Sequence, residues 1–406
     1  MSESANNSMF DIVIVGGGMV GSALACAMAE AGFQVCVVEA QTPQTVWPPE
    51  EVDLRVSALS RASQRVLFNL GVWERMLQLR VSPYTDMQVW DAGGSGSIHF
   101  SAAEIGEPNL GHIVENRVTQ LALWERMGQL PNVTVICPTA GIMQLEFGAS
   151  PRLWLADGRL LQAQLIVGAD GRESQVRQLA AIGSQGWDYD QHALVATIRP
   201  QYHHRFTAWQ RFMPMGPLAL LPIDDGRCSI VWSTSPLQAQ ELMGLTDEVF
   251  CAALSEASEK VLGEILEVGP RGLFPLRLGH AETYIREGLA LVGDAAHAIH
   301  PLAGQGVNLG FLDAATLADV LIEARKAGRK IGSLATLRRY ERTRKGANLG
   351  MLGVMDLFKR FFSNEILPVQ LLRNLGLSLV DHAGPVKELI MRRAMGLTGE
   401  LPELAR

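Results

Sequence analysis

The chain has 406 residues, 48% of them hydrophobic, so it holds material for more than one folded core and does not read as disordered. A formal net charge of −7 argues against general nucleic-acid binding. Five scattered cysteines (Cys26, Cys36, Cys137, Cys228 and Cys251) lack metal-ligand spacing and read as reduced core residues, so no metal site is expected. No Lys or Arg precedes Arg55; the basic start of a signal or transit peptide is missing, and a cytoplasmic location is the expectation.

In chain order, Phe10 to Val15 has the pattern of a buried strand, and a helix is predicted from about Val20 to Ala31. Ile12 to Ala29 runs eighteen residues without a charge and imitates a membrane span. Three consecutive glycines, Gly16 to Gly18, interrupt it, so strand, tight turn and helix is the better reading. Gln34 to Val38 closes a βαβ unit. Leu59 to Asn69 and Arg117 to Leu130 are predicted helical, and Leu153 to Val167 reads as a hairpin turning at Asp157-Gly158. Alternating stretches between Ala193 and Ser233 predict an antiparallel sheet, with His203-His204 in an exposed turn. Leu289 to Val292 returns to strand, Gly306 to Arg325 to helix, and the chain from Ile331 onward is predicted helical. From Leu321 to the end there are sixteen Lys or Arg against eight Asp or Glu, a net of +8, while the remainder carries −15. Such a tail suits either a solvated helical surface or contact with an anionic membrane or acidic partner.

Gly16-x-Gly18-x-x-Gly21 follows a strand and opens a helix, and Glu39 ends the next strand eighteen residues beyond Gly21. In that context the glycines allow the turn, the approach of a diphosphate and close helix packing, while the helix N-terminus presents free N–H groups. Glu39 suits a ribose diol and would repel a 2′-phosphate, which leaves the adenosine of NAD or FAD. Two later clusters bear on that choice: Gly168-Ala169-Asp170-Gly171, and Gly293-Asp294-Ala295-Ala296-His297 leading into Pro301 to Asn308. Strand-end acids such as Asp170 and Asp294 suit ribityl or ribose hydroxyls, and the Gly304-Gln305-Gly306 turn gives a second anion-stabilising helix start. His297 and His300 have no visible Ser or Cys partner and read as loop or packing residues.

In this order, the three clusters resemble the FAD-dependent aromatic hydroxylases of the p-hydroxybenzoate hydroxylase fold. Val114-Glu115-Asn116, Leu291 to His297 and Pro301 to Gly310 are similar to the ubiquinone-biosynthesis hydroxylases among them. Gly111 to Asn116, His192 to Arg199, Cys228 to Ser233 and Arg393 to Leu397 look most like the UbiI (VisC) type, the 2-polyprenylphenol hydroxylases. The resemblance implies an α/β chain: a Rossmann-like FAD-binding domain, an interleaved antiparallel-sheet substrate domain and a helical C-terminal region. The FAD domain would be discontinuous (residues 1–75, 105–185 and 280–345), the substrate domain would take 76–104 and 186–279, and the helical region 346–406.

By likeness, Gly16, Gly18, Gly21 and Glu39 would hold the ADP half of FAD, and Arg117 would reach the diphosphate region. Asp170, Asp294, Gly304, Gly306 and Asn308 would hold the rest of the cofactor, and Arg55 lies near the active-site side as the one candidate catalytic side chain. The implied activity is hydroxylation of a 2-polyprenylphenol at ring carbon 5, with NAD(P)H and O2, through a flavin hydroperoxide. No second dinucleotide fingerprint is present, so NAD(P)H would bind transiently near the flavin. The rivals are a sibling hydroxylase acting at another ring position and a non-catalytic FAD-binding scaffold. Expected partners are the polyprenylated phenol, O2, a ubiquinone-biosynthesis complex, a second copy of the chain, and a peripheral contact with the inner membrane.

Overall fold

In the computed structural model the described residues are 7–94, 96–298, 306–362 and 384–406. Asn7–Val15 is the centre of a sheet whose order runs Ile285–Arg286, Leu289–Leu291, Leu160–Gly168, Asn7–Val15, Val35–Val38, Val133–Ile136. From Leu289–Leu291 to Val133–Ile136 every neighbouring pair is parallel, and Val15 stands level with Gly168 on one side and Val38 on the other. These strands are runs of Val, Ile and Leu because helices cover the sheet. The predicted hairpin is present, Arg152–Leu155 against Leu160–Gly168, and Ile142–Glu146 pairs on its outer side.

The helix Met19–Glu30 explains the uncharged stretch. Gly21 through Ala29 are all buried, because the helix packs against both Asn116–Gln129 and Gly306–Lys326. A helix apolar on every side belongs in the middle of a protein as readily as in a membrane. Among the described residues, no helix is long and apolar enough to cross one.

A second sheet of eight strands is antiparallel except where Thr207–Phe212 runs parallel to Asp86–Asp91. Its spine is a pair of 17-residue strands, Ser184–Pro200 and Ile265–Ala281, with register shifts that twist it. The partner strand Ile265–Ala281 is not visible as alternation, because its pattern is mostly half-buried and Pro and Gly interrupt it. A small third sheet, Val56–Ser60, Gly111–Glu115 and Ser82–Tyr84, stands between the other two.

Three expectations are corrected. The helix predicted from Leu59 begins at Arg61, because Leu59 and Ser60 finish a strand and the Ser60 hydroxyl accepts from the Ser63 N–H as N-cap. His204 is fully buried, with Nε2 2.8 Å from the Ile223 carbonyl, so only His203 lies in an exposed turn. Of the cysteines, Cys137 is half-buried and not a core residue, while the other four are buried. In the tail, Gly384–Ala394 turns Lys387 and Met391 inward; Met391 and Met395 pack on Ala102, Ile105 and Leu110, and Lys387 pairs with Glu104 at 2.9 Å. The apolar run Ile366 to Leu379 lies outside the described residues.

Candidate functional site

Four candidate ligand segments follow the carboxyl ends of four adjacent parallel strands. Gly16–Gly18 follows Val15, Glu39 follows Val38, Asp170 follows Gly168, and Asp294 follows Leu291 by three residues. Parallel order makes this inevitable: strands that point the same way deliver their following loops to one edge, where α/β sheets bind ligands.

The glycine turn shows why each glycine is there. Gly16 has φ +108°, and a Cβ on it would stand 2.3 Å from the Ala169 carbonyl oxygen. A Cβ on Gly21 would stand 2.0 Å from the Gly16 oxygen, so this position needs the close approach of two backbones. Gly18 is different. Its backbone is extended, and among the described residues nothing lies within 4 Å of where its Cβ would be and no side chain caps the helix it starts. Open space over uncapped helix N–H groups is a cradle for an anion. Glu39 accepts from the N–H of Gly17 at 2.6 Å and of Gln41 at 2.9 Å, one bond on each oxygen, which leaves lone pairs for a diol.

Asp170 accepts from the Ser174 hydroxyl and from the Val176 N–H, and thereby fastens the short helix Gln175–Leu179 to the strand end. Burial raises its pKa against the opposing pull of these bonds. Arg177 then bridges the two acid clusters, donating to the carbonyls of Ala295 at 2.8 Å and Arg172 at 2.7 Å. Asp294 is exposed at the rim of a cavity of about 160 Å3 also lined by Arg172, Arg177, Arg277, His280 and His297. Three guanidinium groups facing two carboxylates, Glu173 and Asp294, make its wall net cationic.

Other candidates are placed differently. Arg117 is buried under Trp47, 4.5 Å from the ring centre, and donates to Glu115 at 2.9 Å, to the Glu51 carboxylate at 2.7 Å and to the Glu51 carbonyl at 2.7 Å. Its guanidinium therefore ties down the irregular segment 41–55, which Arg80 also grips through Glu51 and Pro49. Arg55 is exposed at the end of that segment. Asn308 spends its amide on Ala58, Ser60 and Ser63, stapling the start of the Gly306–Lys326 helix to the third sheet. Gly306 opens that helix; Gly304 and His300 lie outside the described residues. Among the described residues no cluster could hold a metal ion.

Sequence reasoning missed the partner of His297. Asp313, fully buried, lies 2.5 Å from its Nε2, and Arg344 and Asn348 bond the same carboxylate. The signal was available: a lone acid within Leu309–Ala318, a stretch otherwise without charge.

Where the second and third sheets meet lies a narrow apolar cavity of about 20 Å3, lined by Ala58, Ile113, Tyr84, Met87, Trp209 and Leu221. Burial pushes the Tyr84 phenol up to about 12, and the Trp209 indole N–H is buried without a partner among the described residues. Beside it on Gly111–Glu115, His112 is 5% exposed with its ring edge-on to Trp73 at 4.9 Å. Burial, and secondarily Arg61, push His112 down from 6.5 to about 4. The folded state thus favours neutral His112 while the unfolded chain protonates near 6.5, so this contribution is present above that pH and lost as pH falls towards 4. The full effect is about 3 kcal/mol. His112→Gln is therefore expected to flatten the acid limb of stability; urea midpoints between pH 4.5 and 7 that fall as steeply as wild type would show His112 is not responsible.

The anion cradle and strand-end acids at one sheet edge fit a dinucleotide cofactor, and the likeness to known proteins makes the chain a flavin-dependent monooxygenase. Residues 9–349 match the family of FAD binding domains. The chain is 40% identical over 391 residues to 3-demethoxyubiquinol 3-hydroxylase of Escherichia coli, covering 96% of this chain and all of that protein. It is 42% identical over 402 residues to ubiquinone hydroxylase UbiL of Rhodospirillum rubrum, covering 98% and 92%. The crystal structure of PqsL, a probable FAD-dependent monooxygenase of Pseudomonas aeruginosa, superposes with a TM-score of 0.75 at 24% identity, over 91% of this chain and 99% of that one, and shows the shared fold. The chain belongs to the FAD-binding monooxygenase family, on the branch of the ubiquinone-biosynthesis hydroxylases.

Proposed function

We propose that the protein hydroxylates the aromatic ring of a polyprenylated phenol in ubiquinone biosynthesis, with FAD as cofactor and NAD(P)H and O2 as co-substrates. The observation that carries this is the gathering of Gly18, Glu39, Asp170 and Asp294 after neighbouring strand ends, apart from the apolar cavity at Tyr84 and Trp209. Bound FAD supplies oxygen activation and transfer; the chain's residues bind, orient and keep water out. The uncapped helix start at Gly18 and the lone pairs of Glu39 serve the ADP half, and Asp294 serves the ribityl chain. The cationic wall of Arg172, Arg177 and Arg277 suits the phosphates of a reductant arriving beside the flavin. Trp209, whose indole N–H suits a ring oxygen, lines the apolar cavity; the cavity is too small for a ring and must open for substrate, and the unbranched Met87 in its wall is suited to give way.

Likeness to the UbiI type favours ring carbon 5. The name of the Escherichia coli relative, a 3-hydroxylase, favours a sibling reaction at another position. Deleting the gene and identifying the ubiquinone precursor that accumulates separates the two, because the precursor lacks the oxygen this enzyme adds. Unchanged ubiquinone content with no precursor would end the proposal. Substrate-dependent NAD(P)H oxidation by the purified protein tests the chemistry directly.

Asp294→Ala is expected to raise the FAD dissociation constant about tenfold or more while leaving the apoprotein melting temperature unchanged, since an exposed strand-end acid serves a ligand more than the core. Fluorescence titration with FAD measures it, and wild-type affinity would remove Asp294 from the site. The net +8 tail fits a peripheral contact with an anionic membrane that carries the tailed substrate.

A further inference from the structure

Asp313 stands in the second turn of Gly306–Lys326, with no exposed surface. Its carboxylate accepts from the Gly293 N–H at 3.1 Å, His297 Nε2 at 2.5 Å, Arg344 Nε at 2.7 Å and Asn348 Nδ2 at 3.1 Å. Burial alone would raise its pKa, but the Arg344 charge and the hydrogen bonds from His297 and Arg344 outweigh burial and hold the carboxyl well below the usual range. An ionised carboxylate only accepts, so the hydrogen in the Asp313–His297 contact sits on Nε2. In a neutral ring, Nδ1 is then left as a lone-pair acceptor.

That atom is buried and has no hydrogen-bond partner among the described residues, in a ring 1% exposed. A buried acceptor left unpaired is costly, and such atoms in the wall of a cavity call for a ligand. His297 lines the cavity that Asp294 rims. A second, independent observation points the same way. His280, the register partner of His297 on the neighbouring strand, lines the same cavity, and its Nε2 is also buried without a partner among the described residues.

We propose that His297 is a ligand-contacting residue whose Nδ1 accepts a hydrogen bond from a hydroxyl of a polyol chain bound in the Asp294 cavity, with Asp313, Arg344 and Asn348 as the residues that position it. The proposal rests on the dinucleotide reading above. The hydroxyl comes from the ribityl chain of FAD or from a ribose of NAD(P)H, which share this chemistry.

His297→Gln is the discriminating variant. Its amide nitrogen takes the place of Nε2 and keeps the bond to Asp313, but nothing replaces Nδ1. The full-length variant is expected to melt within about 2 °C of wild type as apoprotein. Its dissociation constant is expected to rise about tenfold for one of the two probes, FAD by fluorescence quenching or NADH by calorimetry on the FAD-loaded protein. A rise for FAD assigns the ribityl chain, and a rise for NADH assigns the ribose. A folded His297→Gln protein that binds both like wild type overturns the proposal, because a packing role survives this exchange. Should the variant not fold, wild-type protein labelled with 15N-histidine answers instead: the Nδ1 resonance of His297 moves on adding FAD or NADH if the bond forms, and a resonance unmoved by both overturns it. A wild-type chain that takes up no FAD would refute the underlying reading, and that is seen before any variant is made.

Discussion

Gly18→Val is expected to give a folded, soluble and colourless protein. The extended backbone at Gly18 accepts any residue, and its Cβ direction meets no atom of the described residues within 4 Å, so the apoprotein loses less than about 1 kcal/mol. The added isopropyl group fills the space above the first helix N–H groups, where the diphosphate must come within hydrogen-bond distance. Loss of that contact should weaken FAD binding by a factor of at least about 100, or close to 3 kcal/mol. Gly21→Ala is the control with the opposite signature. Its methyl would overlap the Gly16 oxygen at 2.0 Å, so the helix must leave the sheet and the fold itself fails. Flavin absorbance per chain, set beside a thermal melt of each apoprotein, reads both effects. A soluble Gly18→Val protein with one FAD per chain would sink the cradle.

That contrast also shows what a sequence makes legible. The strand-end placement of the glycine fingerprint, Glu39, Asp170 and Asp294 could be read because each sits at a fixed offset from a hydrophobic strand, and parallel pairing brings all such offsets to one edge. The antiparallel spine was half legible: Leu194 to Ile198 alternates cleanly, whereas its partner Ile265–Ala281 has both faces partly exposed and no period. Side-chain partnerships across long separations were not legible at all. Resemblance puts Arg117 near a diphosphate, and nothing local announces that Glu51, 66 residues away, holds its guanidinium with Glu115 and Trp47. His297 reads as a loop or packing residue, and its partner stays hidden for the same reason, since its acid is 16 residues on, on another element.

The buried cluster around that acid should dominate the stability of the site. Asp313→Ala removes the acceptor for four donors at once and leaves the Arg344 guanidinium, 7% exposed, without its counter-charge. Breaking one side of a buried pair costs about 3–5 kcal/mol, much of it the penalty of the stranded charge. If stranding is the cause, removing the second charge should restore part of the loss: Asp313→Leu with Arg344→Met should unfold at a higher urea concentration than Asp313→Ala alone. The loss should also reach the cofactor edge, because the Gly293 N–H that Asp313 holds opens the turn on which Asp294 stands. Protease cleavage near residues 293–298 should therefore rise more in Asp313→Ala than cleavage in the antiparallel sheet. Urea unfolding followed by tryptophan fluorescence gives the magnitude. A single Asp313→Ala loss under about 1 kcal/mol would mean the carboxylate is not what holds the Gly293–His297 turn to Gly306–Lys326 and to Leu334–Phe362, the helix that carries Arg344 and Asn348.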